Sequence, residues 1–144
     1  MQNNIYKYRL FGRSKGRGKK NIISDDAKKL EIKNIDSTQY NIVDIGSGYG
    51  ESVIELAKLD NNRNLIACEK YIDGINRIAD NAKTEFLNNI YIFHGNAHIF
   101  LDKYCLPKSI SEVWILFPDP WPKKKHHKRR LINVDFFYKL KNYL

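Results

Sequence analysis

Hydrophobic and polar positions along this chain alternate between short apolar runs and longer stretches with helical spacing. Apolar runs typical of buried strands lie at residues 41–45, 64–69, 89–94 and 112–117. Helical spacing follows them over residues 50–59, 72–86, 97–103 and 133–144. One further helix is predicted from the capping residue Ser24 to about residue 35. Strand and helix in regular alternation predict an α/β fold with a parallel sheet and right-handed crossovers.

The fourth predicted strand has a particular place in such a fold. In a doubly wound sheet it lies beside the first strand, and the helix that follows it has scarcely begun when the sequence stops. Its outer edge would then stay open to solvent or to another chain. We therefore expect a Rossmann-like, mostly parallel sheet whose last strands are missing from this chain.

Composition limits the class of protein. With 144 residues, of which 42% are hydrophobic, the chain is long enough for one domain and too short for two. Cys68 and Cys105 lack the spacing of a disulfide framework or a zinc ribbon, which favours a reducing, cytoplasmic location. No apolar run approaches the ~18 residues of a membrane span, and the amino terminus lacks a signal peptide's apolar stretch. The sequence predicts neither membrane insertion nor secretion.

The net charge of +9 is concentrated at the two ends of the chain. Residues 1–20 contain seven bases and no acid, residues 123–144 contain eight bases and one acid, and residues 21–122 contain ten bases and fifteen acids. The first segment mixes its bases with glycines and aromatics without any period, so it is predicted to be a flexible basic arm. Basic ends on a slightly acidic body favour a polyanionic partner such as nucleic acid, although a solvated lysine-rich face would carry the same charge.

Three alternating glycines follow the first strand directly, in the segment DIGSGYG. Gly46 and Gly48 permit the backbone angles of a tight turn and let a ligand approach the main chain. Glu69, at the end of the second strand, is placed to accept hydrogen bonds from ribose hydroxyls. Because Glu51 puts a carboxylate where a pyrophosphate would bind, and Asp44 precedes the loop, the site suits the cationic S-adenosylmethionine better than NAD. The alternative is a plain strand-to-helix turn.

Asn96 lies in the tripeptide Gly95-Asn-Ala97, which directly follows the third predicted strand. Its side-chain amide could bond to an adenine edge, or its oxygen could cap the helix that follows. The position beside the cofactor loops favours the first role.

The segment FPDPWPKKKHHKRR follows the fourth strand. Its three prolines keep the backbone extended and project Asp119 and Trp121 over the crevice at the carboxyl ends of the strands. The indole could stack on a base, Asp119 could accept hydrogen bonds from that base, and the basic run with Lys123, Arg129 and Arg130 could hold phosphates. A rigid connector is the alternative. The two adjacent histidines are assigned to the basic face, and no metal site is predicted.

Taken together, the DIGSGYG loop, Glu69, the GNA tripeptide and the FPDPWPKKKHHKRR segment resemble the bacterial tRNA (guanine-N7)-methyltransferases, and FGRSKGR near the amino terminus resembles that family's arm. The resemblance implies a class I methyltransferase fold, S-adenosylmethionine as cofactor and tRNA as substrate. It implies that Asp44, Glu69, Asn96 and Asp119 contact the cofactor or shape its pocket. It further implies that Asp119 belongs to the catalytic centre and that Lys123 contacts tRNA.

Two departures from the family pattern matter. Asn96 stands where the family usually has Asp, which keeps an acceptor and removes a charge. The family's later substrate-binding Asp and its Thr-x-x-Glu element fall beyond Leu144. We therefore expect residues 21–144 to form the amino-terminal part of a methyltransferase domain, poorly active alone.

The predicted function is transfer of a methyl group from S-adenosylmethionine to N7 of a guanine in tRNA. One alternative is an exocyclic amino methyltransferase acting on nucleic acid, because Asp119-Pro-Trp121 is similar to the (Asn/Asp)-Pro-Pro-aromatic loop of such enzymes. A second alternative is a non-catalytic RNA-binding fragment, because the carboxyl-terminal strands are missing.

Overall fold

The computed structural model describes residues 22–144, which contain a four-stranded parallel sheet with the order β3-β2-β1-β4. Its strands are β1 (Tyr40–Ile45), β2 (Arg63–Glu69), β3 (Ile90–His94) and β4 (Glu112–Trp114). The fourth strand pairs with the first, as predicted, so the strand order reverses between β1 and β4. The predicted basic arm, residues 1–20, lies outside the described residues.

Helices cover both faces of this sheet. Within residues 22–144 they are α1 (Asp25–Lys29), α2 (Glu51–Leu59), α3 (Ile72–Thr84), α4 (Ala97–Tyr104), α5 (Val134–Lys141) and a 3₁₀ helix (Lys124–Arg129). Successive strand residues point to opposite faces, so Ile42 and Leu65 pack with α1, α2 and α3, while Val43 and Ile66 pack with α4 and α5. The doubly wound α/β prediction is confirmed.

The first helix is shorter than the sequence pattern predicts. Ser24 caps it by accepting a hydrogen bond from Ala27, but α1 ends at Lys29 rather than near residue 35. The chain then runs beside β3, where Ile32 N–H donates to the carbonyl of Ile92 at 2.9 Å. Pairing with the sheet edge satisfies backbone groups that a longer helix would have bonded internally.

Two other predicted boundaries are wrong. The helix predicted over residues 72–86 ends at Thr84, and Phe86, with φ +54°, is 93% exposed. The strand predicted over residues 112–117 ends at Trp114, because its partner β1 turns into the glycine loop and the prolines that follow cannot donate to a ladder.

Cys68 and Cys105 are both buried, free thiols. None of the helices described has the length and apolar character needed to cross a membrane.

Candidate active site

A cleft of about 860 Å³ opens at the carboxyl ends of the strands. Predicted site residues that line it are Gly46, Gly48, Glu69, Asn96, Asp119, Trp121, Arg129 and Arg130. Two others do not line it: Asp44 is buried at the end of β1, and Lys123 is exposed at the start of the 3₁₀ helix. The fold thus brings residues from four separate segments to one cavity, at the edge where open parallel sheets bind ligands.

The glycine loop between β1 and α2 has the conformation that its sequence requires. Gly46, Gly48 and Gly50 have φ values of +77°, +58° and +79°, in the left-handed region that side chains rarely adopt. A Cβ placed on Gly46 or Gly48 would meet no heavy atom within 4 Å. The loop therefore presents bare main chain to the cleft, with room for a ligand to approach it.

Glu69 is engaged with main-chain donors at the end of β2. Its Oε1 accepts hydrogen bonds from the N–H groups of Lys70 and Tyr71 at 2.7 and 2.8 Å. Its Oε2 accepts the N–H of Gly48 at 2.8 Å. The carboxylate, only 9% exposed, thus joins the start of α3 to the glycine loop. An oxygen with two lone pairs and one donor, as Oε2 has here, can accept one further hydroxyl.

Asp44 is a buried acid beneath the loop. Its Oδ2 accepts a hydrogen bond from Ser52 Oγ at 2.8 Å, whereas its Oδ1 has no hydrogen-bond partner among the described residues. Burial raises the pKa of Asp44, and the nearby charge of Glu69 adds to that effect. Two acidic groups close together in a partly dry site favour a cationic ligand over an anionic one.

Asn96 caps the helix that follows it, which was one of its two predicted roles, and it also lines the cleft. Its Oδ1 accepts the N–H of His98 at 2.8 Å and so caps α4. Because Asn96 lines the cleft, its side-chain N–H groups can donate hydrogen bonds to a ligand bound there.

The segment after β4 leaves the sheet in an irregular path. Phe117 and Trp121 have φ values of +48° and +40°, and Phe117 is 98% exposed. Asp119 is also exposed at the mouth of the cleft. Asp119 and Trp121 line the cleft, but the prediction that the prolines keep this segment extended is wrong, because Phe117 and Trp121 turn the chain with left-handed backbone angles.

The basic run folds back onto this proline-rich segment. It forms the 3₁₀ helix, from which Arg129 places its guanidinium 5.0 Å from the centre of the Trp121 ring. His126 approaches the same indole edge-on, with ring centres 5.7 Å apart. Trp121 therefore already has two partners, so any nucleic-acid base that stacks on it must use ring surface that these contacts leave exposed.

Arg130 bonds to the backbone of the same segment. Its Nε donates to the carbonyl of Pro120 at 2.8 Å, and its Nη2 to the carbonyl of Trp121 at 3.4 Å. His127 Nε2 lies 3.2 Å from the carbonyl of Pro122. The sequence predicts that Arg129 and Arg130 bind phosphates. In the structure both also contact the segment that carries Asp119, Arg129 through the Trp121 ring and Arg130 through backbone carbonyls.

Two tyrosines that the sequence reasoning missed line the cleft beside the glycine loop. Tyr49 and Tyr71 meet edge-to-face with ring centres 5.8 Å apart, and the guanidinium of Arg77 lies 5.3 Å from the Tyr49 ring centre. Hydrogen bonds to Tyr49 and Asp73 raise the pKa of Tyr71 to about 12. The sequence does indicate them: Tyr49 lies inside the glycine loop, and Tyr71 lies two positions after Glu69.

The described residues contain no group of side chains arranged as metal ligands. Across residues 22–144, no three His, Cys, Asp or Glu side chains group so that they could hold an ion.

Comparison with known proteins gives consistent matches. The family model described as "Putative methyltransferase" matches residues 23–144. A tRNA (guanine-N(7)-)-methyltransferase of Neorickettsia sennetsu is 32% identical over 132 residues, covering 90% of this chain and 60% of that protein. One of Nitrosococcus oceani is 43% identical over 95 residues, covering 66% of this chain and 40% of that protein. The chain therefore spans about two to three fifths of the length of these curated relatives.

A solved structure described as an antibiotic-related methyltransferase has a similar fold. It matches 85% of this chain and 64% of its own, with a TM-score of 0.56 and 17% sequence identity. This likeness concerns the fold alone, and it agrees with the doubly wound α/β architecture described above.

Proposed function

The chain belongs to the methyltransferase family that matches residues 23–144, and from this premise we propose that it serves to transfer a methyl group from S-adenosylmethionine to N7 of a guanine in tRNA. The names of the two relatives described above support this substrate. The observation that carries the proposal is that the glycine loop, Glu69, Asp119 and Trp121 all line the same cleft.

The residues at the carboxyl ends of β1, β2 and β3 fit S-adenosylmethionine. The bare main chain of the glycine loop accommodates close approach, and Glu69 Oε2 can accept a ribose hydroxyl. Asn96 can donate to an adenine nitrogen through its amide. The unbonded Oδ1 of Asp44 supplies negative charge near a ligand that carries a sulfonium and an ammonium group. When bound, this cofactor supplies an electrophilic methyl group.

Asp119 is the proposed catalytic residue. Guanine N7 already has a lone pair in the plane of the base, so no proton has to leave before it reacts. The task of the protein is to hold the base in line at ~3 to 3.5 Å from the methyl group and to stabilise the charge that develops. Asp119 can accept the N–H groups on the guanine edge and balance the positive charge left on the methylated ring.

The basic run supports a polyanionic substrate. Lys123, Lys124 and Lys125 are exposed next to the cleft, and their charges face no acidic partner within the 3₁₀ helix. Lysines in such a position can neutralise tRNA phosphates and release counterions on binding. Arg129 can contact phosphates as well, whereas the guanidinium of Arg130 is engaged with the carbonyls of Pro120 and Trp121 and holds the segment that carries Asp119.

Product analysis tests the proposal. Purified tRNA is incubated with the protein and labelled S-adenosylmethionine, treated with borohydride and aniline, and examined for strand cleavage, which N7-methylguanosine undergoes and N6-methyladenosine does not. We expect slow cleavage at one guanine, loss of that signal in Asp119→Asn, and the same slow cleavage as in the wild type for Asp135→Asn, an exposed acid of α5. Label in an uncleaved nucleotide would favour an exocyclic amino methyltransferase. Binding of tRNA without any transfer would favour a non-catalytic RNA-binding role.

A further inference from the structure

Gly74 lies in the first turn of α3, where this helix contacts the glycine loop. It is buried and is not among the glycines with positive φ, so backbone conformation does not explain why glycine stands there. A Cβ built on Gly74 would lie 2.1 Å from the carbonyl oxygen of Gly48 and 2.9 Å from its carbonyl carbon. The main chain of the loop therefore occupies the space that a side chain at position 74 would need.

The loop is held at neighbouring points by the same part of the fold. Glu69, just before α3, accepts the N–H of Gly48 at 2.8 Å. One turn further along α3, Ile78 packs so closely under Gly50 that a Cβ there would lie 2.2 Å from Ile78 Cγ1. Both polar groups of Gly48 thus meet residues 69–74, and the end of the loop meets the next turn of the helix.

We propose that Gly74 is a positioning residue, which fixes the glycine loop in its cofactor-binding form by letting the Gly48 carbonyl rest directly on α3. This inference rests on the proposed use of S-adenosylmethionine. Any side chain at position 74 has to displace the oxygen from 2.1 Å to the 3.4 Å of ordinary contact, by about 1.3 Å. We expect the Gly48 N–H to move with its displaced carbonyl and its bond to Glu69 to lengthen.

Gly74→Ala tests this directly, because two effects of the substitution oppose each other. Alanine is favoured over glycine inside a helix, so α3 by itself should become more stable. The displaced loop should nevertheless bind the cofactor more weakly. We expect the dissociation constant of S-adenosylhomocysteine, measured by calorimetry, to rise about 10-fold or more, which is the effect of losing roughly one good hydrogen bond to the ligand. Binding of tRNA should hardly change.

The matched control is Asp80→Ala, an exposed position two turns further along α3 that does not contact the loop. It makes the same kind of helix-favouring change and should leave affinity for S-adenosylhomocysteine unaltered. Equal affinity in Gly74→Ala and the wild type would overturn the inference, as would an equal loss of affinity in Asp80→Ala.

Amide hydrogen exchange gives a readout that loss of general stability would not produce. In the wild type without cofactor, the Gly48 amide should be protected; in Gly74→Ala it should exchange faster while strand amides of β1 and β2 keep their protection. If Gly74→Ala does not fold, the wild type alone decides: an unprotected Gly48 amide would contradict the inference, and a protected one supports it. A wild-type protein that binds no S-adenosylhomocysteine would refute the proposed cofactor, while the exchange experiment would still test the role of Gly74.

Discussion

Replacing Glu69 with glutamine should both destabilise the protein and weaken cofactor binding. Glu69 is buried and accepts three main-chain hydrogen bonds, two at Oε1 and one at Oε2. Glutamine keeps one oxygen and replaces the other with an N–H donor. In its better orientation the oxygen accepts the two N–H groups of Lys70 and Tyr71, and the amide nitrogen then faces the N–H of Gly48, donor against donor.

The size of the effect follows from that single lost bond. A hydrogen bond to a charged, buried acceptor contributes about 1.5 to 3 kcal/mol. For a chain of this length, that loss in free energy of unfolding lowers the melting temperature by about 5 to 12 °C. Glutamine would also be a poorer acceptor for the ribose hydroxyl that Glu69 is proposed to bind, and a loss of the same 1.5 to 3 kcal/mol in binding corresponds to an affinity about 10- to 150-fold weaker.

Thermal unfolding and calorimetry with S-adenosylhomocysteine measure the two quantities on the same samples. Glu55→Gln is the control, because Glu55 is an exposed acid of α2 whose side chain is 72% accessible and pairs only with Lys58 among the contacts seen in residues 22–144. It should change neither the melting temperature nor the affinity appreciably. If Glu69→Gln behaves like Glu55→Gln in both measurements, the hydrogen bond to Gly48 does not hold the loop and Glu69 does not contact the cofactor.

Further predictions concern the buried acid, the basic run and the loop brace. Burial raises the pKa of Asp44 above its ordinary value of 3.8, so the folded protein binds that proton more tightly than the unfolded chain, and stability should fall as pH rises from about 4 through the raised pKa. Asp44→Asn should abolish this fall in thermal melts and weaken S-adenosylhomocysteine binding at neutral pH; an unchanged pH profile would mean that Asp44 ionises normally. Replacing Lys123, Lys124 and Lys125 with Ala should lower the salt slope of tRNA binding by about 0.7 to 0.9 per lost phosphate contact, without altering cofactor affinity. A salt slope equal to that of the wild type would mean that these three lysines are exposed to solvent and do not contact tRNA phosphates. Arg130→Ala should lower kcat about 10-fold or more, since it removes two hydrogen bonds to the loop, and leave the salt slope unchanged. A lower slope with normal kcat would assign Arg130 to a phosphate instead.

The amino-acid sequence alone determined the order of the elements and the general place of the site. Periodicity is a property of neighbours along the chain, and the runs around Val43 and Ile66 are mostly apolar at successive positions because each strand packs helices on both faces. The site could be predicted because carboxyl ends of parallel strands meet at one edge. Gly46, Glu69 and Asn96 all lie at or just beyond the carboxyl end of a strand, so the sheet itself brings them together.

Only the tertiary structure decided which atoms these residues engage. Gly48 lies 21 positions before Glu69 and 26 before Gly74, so their contacts depend on how α3 sits against the loop. Arg130 reaches Pro120 only because the 3₁₀ helix turns the basic run back onto the segment before it. The early end of α1 likewise depends on the free edge of β3. Local patterns report the interactions within one helix or strand, whereas these contacts arise from the packing of two elements, for which the sequence has no periodic signal.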